Sequence, residues 1–184
     1  LLDGQLSFAD AKAYIIELSD QPVTVDLLVE LATALRQRMV KIDLGKPVLD
    51  TCGTGGDGVK TFNISTAVAL ECARRGIPVA KHGNVAATSV SGSADVLQYL
   101  GVPIDLSGQA VLDYFHQHDF IFLFAKLYHP AMKHVAPIRQ AIGRRTIFNL
   151  LGPLCNPAGA EYQLVGVSNG QVAKVMGEAL IRLG

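Results

Sequence analysis

Gly53, Gly55, Gly56 and Gly58 crowd one short turn, which follows the apolar pair Val48-Leu49 and precedes Asn63, Ser65 and Thr66 at the mouth of an apolar helix. Glycine permits positive φ and brings backbone N–H groups against a bulky anion with no Cβ in the way. The helix mouth adds unpaired N–H groups and the positive end of a dipole. Strand, glycine turn and helix mouth together suit a phosphate. The turn matches neither common nucleotide fingerprint. A P-loop places Lys and Ser/Thr directly after its last glycine, whereas here Val59 intervenes before Lys60 and Thr61. The pattern Gly-x-Gly-x-x-Gly is met by Gly53, Gly55 and Gly58, but Asp57 would set a negative charge where pyrophosphate lies. On its own the turn leaves two readings open, phosphate binding and a tight structural turn.

A second stretch begins Lys81-His82-Gly83-Asn84-Val85 and continues through the hydroxyls of Thr88, Ser89, Ser91 and Ser93. One cation, one imidazole, one amide and four hydroxyls form an inventory for holding phosphate oxygens. The bland alternatives are a solvated strand-end Lys81, a hydrogen-bonded loop His82 and a helix-surface Arg139. His116 and His118 read as solvated, and His129 and His134 as packing residues.

These residues need a frame. The 184 residues are 49% hydrophobic, enough to bury a substantial core. Formal net charge is zero, which argues against a nucleic-acid surface and leaves room for a small phosphorylated ligand. Cys52, Cys72 and Cys155 lack metal-type spacing and point to a reducing, cytoplasmic setting. No apolar run approaches the ~18 residues of a membrane span. The chain opens on Leu1 rather than Met, and we read it as a piece of something longer.

Two amphipathic helices open the chain. Ser7 and Asp10 resemble a capping pair ahead of the stripe Ala11, Ile15 and Leu18; Leu28, Leu31, Leu35 and Met39 form a second stripe. The stripes are expected to pack on each other or on a partner subunit, which favours a homodimer. From Val48 onward strands alternate with helices: strand 47–52, helix 64–75, strand 77–81, a helix ending near Tyr99, a helix from Ser107 to about His118, strand 120–124, a helix from Pro130 to Gly143, strand 163–167 and helix 171–183. The fold class expected is α/β, a mostly parallel sheet covered by helices, with a small N-terminal all-helical domain. The boundaries are 1–45 for the helical domain and 46–184 for the α/β domain, with about 130–143 packing back on the helical domain. Ligands bind beyond the carboxyl ends of such strands, which gathers 53–58, 81–93 and 125–133.

Gly53-Thr-Gly-Gly-Asp-Gly58, Asn63-Ile-Ser-Thr66, Lys81-His-Gly-Asn84, Ser91-Gly-Ser-Ala-Asp-Val-Leu97 and Arg145-Thr-Ile-Phe-Asn-Leu-Leu-Gly-Pro-Leu154 resemble the anthranilate phosphoribosyltransferase family, in order from about Val48 to the end. The resemblance implies a magnesium-dependent pentosyl transfer of tryptophan biosynthesis. The anthranilate amine displaces pyrophosphate from C1 of phosphoribosyl pyrophosphate. Carried over by motif, Gly53, Gly55, Gly56, Asp57, Thr61, Asn63, Ser65, Thr66, Lys81 and Ser91 would hold phosphoribosyl pyrophosphate, with Ser65 also a ligand of Mg2+. Gly53, His82, Asn84 and Arg139 would border anthranilate, Arg139 reading its carboxylate with a planar fork. No certain catalytic base is implied, since an aryl amine is already a nucleophile.

The match departs from the family in three places. Val85 stands where the family usually has arginine, and Thr88-Ser89 where it usually has Ser-Ser. The helical opening is shorter, by what looks like one helix between Asp20 and Thr24. The sequence also stops short of the family's later Asp-Glu pair, which holds magnesium and for which Asp57 and Glu71 are no substitute; the chain looks truncated relative to the family. Two other readings are kept: a pyrimidine nucleoside phosphorylase-like enzyme, which would want Lys-x-Ser/Thr near Lys81, and an inactive paralogue that binds a phosphorylated ligand without turnover.

Overall fold

The computed structural model describes residues 1–55, 62–85 and 91–184. Gly56, Asp57 and Thr61 of the expected phosphate site, and the departure at Thr88-Ser89, lie outside the described residues.

Helix α1 spans Phe8–Asp20 and α2 spans Val25–Arg36. Both are capped as their sequences ask: the Asp10 N–H donates to Ser7 Oγ at 3.2 Å and the Leu27 N–H to Thr24 Oγ1 at 3.2 Å. The second helix ends at Arg36, three residues short of Met39. The stripes do not await a partner. Ala11, Ile15, Leu18, Leu28, Ala32 and Leu35 are buried in one core with residues of the later helices, among them Val135, Ile138, Leu151 and Met176. The dimer expectation therefore loses these stripes as its support.

Strands β1 (Leu49–Gly53), β2 (Val79–Gly83), β3 (Phe120–Phe124) and β4 (Tyr162–Gly166) form one parallel sheet in the order β3-β2-β1-β4. Helices α3 (Ile64–Arg74) and α4 (Ser93–Tyr99) cover one face, where Ala69, Ala94 and Leu97 meet Val79, Phe120 and Phe122. Helix α5 (Gln109–His118) covers the other, where Val111 and Phe115 meet Ala80, Ile121 and Leu123. Alternation of side chains along β2 and β3 supplies both faces. The fold class is thus α/β with a helix-covered parallel sheet.

A short helix α6 (Ala125–Tyr128) follows β3 directly and leads into α7 (Met132–Ile142), α8 (Phe148–Leu151) and a 3-10 turn over Gly152–Leu154. Helix α9 (Gly170–Leu183) closes the described chain, its Val172 N–H capped by Asn169 Oδ1 at 3.0 Å. No helix among the described residues is long and apolar enough to cross a membrane.

Candidate functional site

The strand order decides where a ligand fits. From β1 the chain moves to β2 on one side and later returns as β4 on the other, which makes the carboxyl ends of β1 and β4 the topological switch point. The start of the glycine turn, residues 53–55, stands there. Thr54 N–H donates to Gly166 O of β4 at 2.9 Å, and Gly55 follows with φ of 64°, a conformation that a Cβ would strain. Gly53 and Gly55 are exposed, and Thr54 between them is buried.

The helix mouths are tied to the ends of β1 and β2 and to each other. Thr51 Oγ1 donates to Ser65 O at 2.6 Å, seating the start of α3 on β1. Asn63 Nδ2 donates to Gly92 O at 2.9 Å and so ties the α3 mouth to the α4 mouth. At the end of β2 the Asn84 carbonyl accepts the Ala94 N–H at 3.2 Å and Ser93 Oγ at 3.3 Å. Gly83 is required for this closure, because a Cβ there would run into the Phe122 ring and the Ser93 hydroxyl. The described donors of the sequence reading are thereby gathered at one end of the sheet: the 53–55 turn, Asn63, Ser65, Thr66, Asn84 and Ser91. Thr66 Oγ1 is buried with no hydrogen-bond partner among the described residues, an unused donor at the α3 mouth.

Lys81 sits differently from its reading as a phosphate-facing cation. It is 2% exposed, and its ammonium donates to Thr51 O at 2.5 Å. Burial lowers its pKa, opposed by the charge of Asp50. Asp50 Oδ1 accepts the His82 N–H at 3.2 Å, while burial holds the Asp50 carboxyl above the usual carboxylate range.

His82 is also buried, and its Nε2 lies 3.1 Å from His129 Nε2. Burial, with His129 beside it, drives the His82 pKa down to about 3; burial likewise lowers that of His129. Two imidazoles that burial keeps uncharged therefore lie side by side at the end of β2. His129, read from sequence as a packing residue, is thus a direct neighbour of a candidate site residue. Its position just past a strand end was the available signal.

Arg139 projects from α7 with Nη2 donating to Asn149 Oδ1 at 3.3 Å and its guanidinium carbon 5.7 Å from the Phe148 ring centre. Its Nε is buried with no partner among the described residues, and burial lowers its pKa. A planar cation with a spare donor, packed on an aromatic ring, is equipped to grip a carboxylate. Val85 is exposed and presents no charge; its N–H donates to Asn84 Oδ1 at 2.8 Å.

Comparison with known proteins decides the family. The model described as "Glycosyl transferase family, a/b domain" matches residues 45–184. A curated anthranilate phosphoribosyltransferase of Bacillus caldotenax is 47% identical over the whole chain, which covers 76% of that protein. The chain belongs to the anthranilate phosphoribosyltransferase family. The crystal structure of the family member from Thermus thermophilus superposes with a TM-score of 0.92 at 43% identity, over all of this chain and 56% of that one. Anthranilate phosphoribosyltransferase from Saccharomyces cerevisiae, solved in complex with phosphoribosyl pyrophosphate and Mg, superposes with a TM-score of 0.80 at 35% identity, over 87% of this chain and 45% of that one. The chain spans about half the length of other curated relatives, 56% of the one from Erythrobacter litoralis and 54% of the one from Geobacillus thermodenitrificans.

The family implies magnesium, and the residues can be tested for it. Among the described residues no three His, Cys, Asp or Glu side chains form a cluster suited to a metal. Ser65 offers a single hydroxyl on a backbone anchored by Thr51. A lone hydroxyl of this kind could add one oxygen to a Mg2+ that arrives with a phosphorylated substrate.

Proposed function

We propose that this chain forms the two-substrate site of a phosphoribosyl transfer in which the anthranilate amine displaces pyrophosphate from C1 of phosphoribosyl pyrophosphate. The observation that carries the reading is the glycine turn at the switch point, flanked by the α3 and α4 mouths on one side and backed by a segment that carries Arg139, Asn149 and the Gly152 carbonyl beside His82.

In this reading the N–H groups of Gly53 and Gly55, the α3 mouth and the hydroxyls of Ser65, Thr66 and Ser91 take the pyrophosphate and ribose. Gly56, Asp57 and Thr61 belong to the same half-site by motif. Mg2+, held on pyrophosphate with Ser65 Oγ as a protein oxygen, would offset the charge of the leaving group. His82, Asn84 and Arg139 border the acceptor, with Arg139 on its carboxylate. The amine nitrogen forms the new bond to C1 as the C1–oxygen bond to pyrophosphate breaks, and the released amine proton passes to solvent. His82 stays neutral at pH 7, so it orients the acceptor without charging it. Holding both partners in line supplies most of the acceleration such a step needs.

Residues 1–45 serve as the helical part and 46–184 as the phosphoribosyl-binding part, with 130–143 returning to the helices. A cytoplasmic homodimer fits this reading, and its contact would use the exposed Leu6, Phe8 and Tyr14. Calorimetric titration with phosphoribosyl pyrophosphate and Mg2+ tests the donor half: we expect one saturable site that inorganic pyrophosphate competes for. No heat and no competition would remove the reading.

A further inference from the structure

We propose that Arg145 is a positioning residue that locks the glycine turn and couples it to Arg139 through the 145–149 turn. This rests on the proposed function for its catalytic consequence, but its structural core stands on contacts alone.

Thr54 is the one side chain between Gly53 and Gly55, and so a handle other than backbone on the described start of that turn. It is 4% exposed, and Arg145 Nη2 donates to its Oγ1 at 2.8 Å. An arginine aimed at a neutral hydroxyl, across 91 residues of sequence, is not the pairing that surface charge would choose.

The turn that carries Arg145 is itself pinned. Gly143 ends α7 with φ of 67° and redirects the chain, so that Arg144 and Arg145 reach different targets. Arg144 Nη2 takes Asp20 Oδ1 at the end of α1 at 2.6 Å. The Ile147 N–H donates to Ser19 Oγ at 3.1 Å, a second tie to α1. The Thr146 N–H donates to Asn149 Oδ1 at 3.0 Å, and this same oxygen accepts Arg139 Nη2. One short turn therefore holds the donor-side glycine turn through Arg145 and the acceptor-side cation through Asn149. A shift of that turn moves both half-sites together, so occupancy of one biases the geometry of the other.

The test compares Arg145→Gln, Arg145→Lys, Thr54→Val and the Gln/Val double variant, each in the full chain. Hydrogen exchange of the Thr54 amide, read without ligand, is expected to quicken at least about fivefold in Arg145→Gln and in Thr54→Val, as loss of one hydrogen bond predicts. The double variant should be no faster than either single one, Arg145→Lys should recover part of the protection, and amides of β3 should not change. With ligands, Arg145→Gln should also erase the dependence of anthranilate affinity on phosphoribosyl pyrophosphate. Unchanged exchange at Thr54, or additive effects in the double variant, overturns the proposal. Should Arg145→Gln fail to fold, the near-isosteric Thr54→Val alone decides by the same exchange reading. A chain with the expected exchange but no binding of phosphoribosyl pyrophosphate keeps the positioning role and removes the function proposed above.

Discussion

The imidazoles of His82 and His129 meet Nε2 to Nε2 at 3.1 Å, with ring centres 4.9 Å apart and planes tilted by 47°. Both are buried, and both have pKa values below that of free imidazole. Burial penalises a charge on either ring, and charging both would set two N–H donors against each other between the end of β2 and the segment after β3.

Acid should therefore loosen the fold. Below a pH of about 6.5 the unfolded chain binds protons that folded His82 refuses until about 3, so stability falls as pH drops through that window. At full slope one such site costs about 1.4 kcal/mol per pH unit. Urea midpoints measured from pH 7.5 to 4.5 should fall steeply for the parent chain and more gently for His82→Asn. An identical slope in the variant would show that the pair does not govern acid stability.

Arg139 should act directly on the acceptor, and on the donor half only through Asn149 and the 145–149 turn. Replacing it with Gln removes a charge-assisted contact of about 1.5–3 kcal/mol, a loss of at least about tenfold in anthranilate affinity. Affinity for phosphoribosyl pyrophosphate, measured by calorimetry on the same variant, should change little. Equal loss for both ligands would contradict its place in the acceptor half.

The Lys81 ammonium is engaged by Thr51 O of β1. Lys81→Met keeps the stem and removes the charge. If the ammonium reaches phosphate when ligand binds, affinity for phosphoribosyl pyrophosphate should drop about tenfold or more. The unfolding free energy should meanwhile fall by only about 1–3 kcal/mol for the orphaned carbonyl. A stability loss with unchanged ligand affinity would make Lys81 purely structural.

Much of this frame was legible in the sequence, and the misses share a cause. Phe120–Phe124 is a run of five apolar residues, and the strand fills it. Strand β2 was expected at 77–81 but runs Val79–Gly83, two residues later. Ile77 is apolar yet 44% exposed, and Pro78 has no N–H to pair. Lys81 and His82, polar by type, are buried in the strand because Thr51 O accepts the ammonium and His129 partners the imidazole. Helices α6 and α8 are single turns too short for a periodic signal; the first falls in the stretch 125–133 read as a loop, the second in the block Arg145–Leu154 read as motif. The site suffered in the same way. Glycine spacing announced the phosphate turn, but Arg145 to Thr54 and His82 to His129 are contacts across 91 and 47 residues, which no local pattern encodes.

The central claim is transfer to an aromatic amine. The direct measurement follows anthranilate fluorescence in the natural gene product that carries this chain, with phosphoribosyl pyrophosphate and Mg2+ supplied. The account predicts that fluorescence is lost as pyrophosphate is released in equal amount, and that omitting either substrate stops both. Saturable binding of both ligands with neither fluorescence loss nor pyrophosphate release would contradict it.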